Sequence, residues 1–196
     1  MNYKSLEGRI ADQYIKMLAK DQKDLTFSNI VDKAKVSLEK ANIIFPFDDE
    51  LVKIKLMKIF LKNIDQGALT VFCDEIKDEN ITFYEKLLEG IFIRFEELFK
   101  HKKAIKKLSY NLNMKILNFN ILFFDNHIFM LKLLKLSGDN DSFIKLSIKS
   151  VLLNSIFLRC MIMFLNEDKM NINSLMRKVD DDLKKLFEIN ILFKNI

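Results

Sequence analysis

With 196 residues, 49% of them apolar and 30% charged, the chain holds enough apolar side chains for a globular core and too many for a disordered segment. Four glycines and one proline cannot supply an all-β chain, which needs a turn signal roughly every 8–12 residues, so the expected fold class is all-α. The net charge of +5 is unevenly spread: residues 1–50 hold eight bases and nine acids, and the excess comes later, at Lys53, Lys55, Lys58 and Lys62 and in the Lys100–Lys107 cluster.

Ile10, Tyr14, Met17 and Leu18 fall on one face of a first helix, Leu6 to Lys20. After the polar loop Asp21–Asp24, Thr26 or Ser28 can cap a short helix with Phe27, Ile30, Val31 and Ala34 as its apolar positions. A break at Lys35-Val36-Ser37 follows, and Ser37 can cap a third short helix, Leu38–Phe45. Phe45-Pro46-Phe47 ends it, because a residue before proline avoids the α region. Asp48 or Asp49 then caps a longer helix, Glu50–Asn63, with Leu51, Ile54, Met57 and Leu61 on one face. Residues near Asn63–Gly67 are expected to join two parts of the molecule, with a separate short helix, Leu69–Ile76, after Gly67 and a polar link, Lys77–Asn80.

Thr82 can cap the helix Phe83–Phe99, and the basic Lys100–Lys107 run leads into Leu108–Asn113. Met114–Leu136 is apolar nearly all round. Ser137–Asp141 is the clearest loop, with Gly138 suited to a helix C-terminus. Ser142–Leu165 and Asn173–Phe193 are the last two helices. The domain boundaries read from this pattern are 1–48 for a helix-turn-helix head, 49–66 for a connecting helix and 67–196 for a helical bundle.

The chemistry-bearing residues are few. Cys73 and Cys160 both lie in apolar runs and are expected to be buried thiols in a reducing compartment; with His101 and His127 they make neither a disulfide framework nor a zinc site. The sequence has no Gly-rich phosphate loop, no paired carboxylates at useful spacing and no Cys/His or Ser/His arrangement. Asp180, Asp181 and Asp182 are consecutive on a helix and point apart. The chain is therefore read as not an enzyme, without cofactor or metal. Met1–Glu7 lack an apolar signal core, so a cytoplasmic location is expected. Val151–Leu165 carries Asn154, Ser155 and Arg159 and is shorter than the roughly 20 residues of a membrane span, so it is read as a buried helix.

Two short helices across a three-residue turn, with apolar Ile30, Val31, Val36 and Ala41, make a helix-turn-helix pattern. Leu25 through Ser37, followed by Phe45-Pro46 and Glu50-Leu51, resembles the N-terminal signature of the TetR family of bacterial regulators. Thr26, Ile30, Ala34, Val36, Ser37, Phe45, Glu50 and Leu51 match that pattern. Segments around Arg94-Phe95, Lys102–Leu108, Leu133–Gly138, Phe157–Leu165 and Ser174–Leu183 are similar to the C-terminal region of some members. The resemblance implies a dimeric transcriptional regulator that binds double-stranded operator DNA through its head and is controlled by a small hydrophobic ligand. Four positions depart from the family: Lys35 stands where glycine is usual, Asn42 where a phosphate-binding tyrosine is, Ile44 where histidine is frequent and Asp48 where a lysine is. The candidate DNA-binding residues are Thr26, Ser37, Lys40, Asn42, Lys53 and Lys55.

For a hydrophobic effector the candidates are Phe92, Phe95, Phe123, Phe124, His127 and Met130, large adaptable side chains with few acids among them; ordinary core packing is the competing reading. Ile148, Leu152, Ser155, Ile156, Arg159 and Met163 with Leu175, Val179, Leu183 and Leu186 form two stripes on adjacent helices. They suit either a homodimeric four-helix interface through helices 142–165 and 173–193 or packing within the chain. The apolar tail Leu186–Phe193 and the Ser137–Asp141 loop are similar to a second family, the TetR-fold lipid-binding proteins of ubiquinone biosynthesis. That similarity implies an accessory protein that meets a membrane surface and does not bind DNA. The tryptophan-containing signature of that family is missing, since the chain has no Trp.

Overall fold

The computed structural model describes residues 5–76, 80–111 and 116–189 together with Phe193, and their side chains outside 109–124 and 189. Among the described residues there are nine helices and no strand: α1 (Leu6–Ala19), α2 (Phe27–Lys33), α3 (Leu38–Ile44), α4 (Asp49–Glu75), α5 (Phe83–Phe99), α6 (Lys102–Asn111), α7 (Ile116–Leu136), α8 (Phe143–Asn166) and α9 (Ile172–Ile189). The chain divides into two units, one of Met1–Gly67 with His101–Asn113 and one of Ala68–Lys100 with Met114–Ile196.

In the first unit α1 packs on α2 and α6, and α2 on α3. Ser5 starts α1 by accepting a hydrogen bond from the Gly8 N–H at 3.1 Å, one of the donors that a helix start leaves without a partner. Ile10, Tyr14, Met17 and Leu18 are buried, together with Ile30, Val31, Phe45, Leu56, Phe60 and Leu108. Burial pushes the Tyr14 phenol up to about 12. Lys103 and Lys107 both pair with Asp21, and Lys107 Nζ also donates to the Leu18 carbonyl at 3.0 Å. These contacts fasten α6 to the C-terminal end of α1. The basic run and the segment it leads into form one helix, which begins at Lys102.

The expected break near Gly67 does not occur. The helix beginning at Asp49 continues through Gly67 to Glu75, with Asp48 Oδ1 accepting from the Leu51 N–H at 2.9 Å at its start. An isolated glycine costs a helix only about 1 kcal/mol. Ile64, Ala68 and Phe72 carry the buried stripe across it at fourfold spacing.

In the second unit α7 packs on α8, α8 on α9, and α5 on both α7 and α9. Thr82 and Glu85 form a reciprocal capping box at the start of α5. At Gly90 the side chain of Leu133 on α7 lies against α5: a β-carbon there would lie 2.2 Å from Leu133 Cδ1. The α7–α8 turn uses Gly138 at φ +101°, with the Asp139 N–H returning to the Leu134 carbonyl at 3.0 Å, as the sequence suggested for that glycine. Asp139 is buried and bonded to the fully buried Lys149 at 2.6 Å; Asp141 accepts from the same ammonium at 2.9 Å. That pair of carboxylates fixes the loop to α8. The Lys149 bond holds the Asp141 carboxyl below the usual carboxylate range. Tyr84 of α5 donates to Asp180 Oδ1 of α9 at 2.5 Å.

By length and composition α8 is the one helix among the described residues that could cross a membrane. It buries Leu146, Leu153, Phe157 and Phe164 together with the polar Lys149, Ser150 and Asn154. Cys160 is buried there, its thiol pushed up to about 11 by burial, whereas Cys73, expected to be buried, is exposed on α4.

Candidate nucleic-acid interface

The turn between α2 and α3 is built around Lys35 in the left-handed region, φ +55°. A β-carbon makes that conformation unfavourable by about 1–2 kcal/mol. Two hydrogen bonds from Arg9 of α1 hold the segment: Nη2 donates to the Ala34 carbonyl at 2.9 Å and the Lys35 carbonyl at 3.2 Å. These carbonyls lie at the C-terminal end of α2, where a helix leaves acceptors without partners and where a cation is favoured. Nothing in the linear pattern marked Arg9 for this role, since its partners lie 25 and 26 positions away.

From this turn α3 leaves with Ser37 at its N-cap position and Ala41 as its one buried residue. At about 100° per residue, Glu39 and Ile43 point most directly away from Ala41, with Asn42 on one flank and Lys40 on the other. Leu38, Glu39, Lys40, Asn42 and Ile43 are all exposed, Ile43 at 75%. The C-terminal end is closed by Phe45, buried edge-on against Phe27 with ring centroids 5.7 Å apart.

The six candidate DNA-binding residues divide into two groups. Ser37, Lys40 and Asn42 lie together on or beside the outer surface of α3. Thr26 is exposed at the start of α2, but its backbone N–H and hydroxyl both donate to Asp24 Oδ1, at 3.0 and 2.8 Å, and hold that carboxyl below its usual range. Lys53 is paired with Asp49 at 3.6 Å. Lys55 donates to the Ile44 carbonyl at 3.2 Å and lies over the Phe45 and Phe47 rings at 4.9 and 5.3 Å. It closes the end of α3, a task that spacing alone did not disclose. The exposed acids Asp32, Glu39, Asp48, Asp49 and Glu50 offset the lysines here, so the head is close to neutral.

The effector candidates belong to the second unit. Phe95 and Met130 are fully buried, Phe95 stacked on Phe157 with centroids 4.6 Å apart, as core residues would be. Phe92 and His127 are half-buried, and His127 Nδ1 lies 2.8 Å from the Ser150 hydroxyl. Phe123 and Phe124 fall on α7, but their side chains lie outside the described residues. Arg94, named in the sequence only within a segment similar to the family, was not among the effector candidates. It is 2% exposed, donates to Asn126 Oδ1 at 2.6 Å, and has its guanidinium carbon 4.2 and 4.4 Å from the Phe129 and Phe157 rings. An arginine inside the apolar pattern of α5 was the available signal.

The two association stripes fare differently. Leu175, Val179 and Leu183 of α9 are fully buried within the chain. On α8, Ile148, Ser155 and Arg159 are exposed and Leu152, Ile156 and Met163 half-buried. Four of these, Leu152, Ser155, Ile156 and Arg159, line an open groove of about 490 Å³ together with Asp182, Lys185 and Leu186 of α9. In the C-terminal tail Phe193 is buried, 4.8 Å from the Phe187 ring and 5.5 Å from Lys149 Nζ; residues 190–192 and 194–196 lie outside the described residues. Compared with known proteins, the sequence matches no family model and is significantly similar to none of the curated proteins.

Proposed function

We propose that the chain is a TetR-like transcriptional regulator, not an enzyme, that binds double-stranded DNA through α2 and α3. The observation that carries this reading is α3 itself: a short helix held by one buried residue, with its remaining outer side chains in solvent, directly after a turn fixed by Arg9. Such a helix can enter a major groove about 12 Å wide while its neighbour braces on the backbone. Ser37, Lys40 and Asn42 supply the polar contacts there. Two copies associate through the α8–α9 groove, where Arg159 and Lys185 beside Asp182 give a surface able to meet its own copy. A hydrophobic effector held among the aromatic residues of α5 and α7 changes the spacing of the two heads, and it does so only by binding one spacing more tightly than the other. Footprinting and fluorescence anisotropy with the chain's own upstream DNA, at stated salt, test the reading. Binding no tighter than to random duplex refutes it, and sedimentation showing only monomer refutes the dimer.

A second reading is favoured by one surface. Phe143, Ile144, Ile148, Val151 and Ile162 of α8 are exposed, the first two at 71 and 72%, and residues 142–166 contain no acid. A membrane-associated lipid-binding protein without DNA activity would have such a face. Vesicle flotation and mass spectrometry of co-purified lipid distinguish the two; a protein that ignores vesicles and purifies empty rules this one out.

A further inference from the structure

We infer that Ile43 reads a thymine methyl group in the major groove, which makes thymine at one position of each half-site a requirement of this head. The inference rests on the DNA-binding reading above and adds to it the base being recognised. Ile43 is 75% exposed on a helix whose one buried residue, Ala41, lies on the opposite side. Its helical neighbours are Glu39 one turn before it and Lys40 and Asn42 on either flank. Even with the exposed Leu38, Phe47 and Leu51 of the same head, at 44, 50 and 51%, Ile43 offers far less apolar surface than the roughly 800 Å² per partner that a stable protein interface requires. It matches the one apolar group that a base pair presents in the major groove, the thymine C5-methyl. The flanking groups fit the same surroundings. Lys40, and Lys35 in the turn, are exposed cations within reach of a phosphate backbone. Asn42 has the paired donor and acceptor that suit an adenine edge.

Uracil tests this directly, because it keeps every hydrogen-bonding group of thymine and lacks only the methyl. Duplexes are selected from a random pool by the full chain at fixed salt and resynthesised with deoxyuridine at each thymine in turn. The expected result is a loss of about fourfold at one thymine per half-site, the effect of removing one buried methyl, with near-neutral substitution elsewhere. In the Ile43→Ala variant the selected duplex binds about as weakly as its uracil form does to the parent chain, and the uracil replacement changes nothing further. Because Ile43 is exposed, circular dichroism of this variant matches that of the parent. Selection that succeeds while uracil is neutral at every position overturns the thymine assignment and leaves the regulator standing. A pool that shows no enrichment removes the regulator and this assignment together.

Discussion

Replacing Lys35 by glycine will stabilise the protein, although most substitutions do the reverse. Lys35 is held at φ +55°, and its side chain is exposed. The left-handed conformation costs a residue bearing a β-carbon about 1–2 kcal/mol, whereas glycine gives back roughly 0.5–1 kcal/mol through the greater freedom of its unfolded chain. The balance is a gain of about 0.5–1 kcal/mol, or roughly 1–3 °C in melting temperature for a chain of this size. Lys35→Ala is the control, since alanine keeps the β-carbon and removes only an exposed ammonium, so it should change stability by less than about 0.5 kcal/mol. Urea titration followed by far-ultraviolet circular dichroism measures both, and the glycine-minus-alanine difference isolates the backbone contribution. A glycine variant that is less stable than the alanine one would refute the left-handed assignment and the role given to Arg9 in holding it.

Gly90→Ala should destabilise by about 1–3 kcal/mol through overpacking against Leu133, because its β-carbon would fall 2.2 Å from a terminal methyl of a fully buried side chain. In a double-mutant cycle with Leu133→Ala that penalty should disappear, and simple additivity would contradict the described α5–α7 approach. Lys149→Met leaves Asp139 buried without its cation and should cost about 3–5 kcal/mol in chemical denaturation. Asp141 adds a pH dependence. Lys149 depresses its folded pKa, so its contribution is present above the ordinary carboxylate range and is lost as pH falls through that depressed value; Lys149→Met should flatten this acid limb. For DNA binding, Lys40→Ala should reduce the slope of log affinity against log salt by about one per head. Lys55→Ala should leave the slope unchanged and lower the melting temperature, because its ammonium is spent on the end of α3.

Much of the helical order was legible because local signals sufficed: a 3.6-residue apolar period, Thr82 as a cap, Pro46 as a stop and Gly138 at a helix end. What failed was local too. Gly67 looked like a break, yet Ile64, Ala68 and Phe72 continue the buried stripe on both sides of it. Cys73 has apolar neighbours in sequence and still faces solvent, since neighbours on a helix point in different directions. At the candidate interface the types and spacing of Ser37, Lys40 and Asn42 could be read directly. The commitment of Lys55 to the Ile44 carbonyl and of Arg9 to the turn could not, because both depend on how distant segments meet. Arg94 and Lys149 show the same limit: a charge inside an apolar helix announces a special environment without naming the partner, here Asn126 and two rings for one and two loop carboxylates for the other.

The attachment of α6 to α1 has a practical consequence for anyone dissecting the molecule. A fragment ending at Gly67 would keep α1, α2, α3 and the first part of α4 and still lack Ala104, Ile105 and Leu108, all buried, along with the lysines that neutralise Asp21. Its first helix would then offer bare hydrocarbon to water, so aggregation of such a piece would say nothing about whether the intact chain binds DNA. Supplying residues 101–113 as a separate peptide, or splicing them on through a short flexible linker, is the route by which the head could be handled alone.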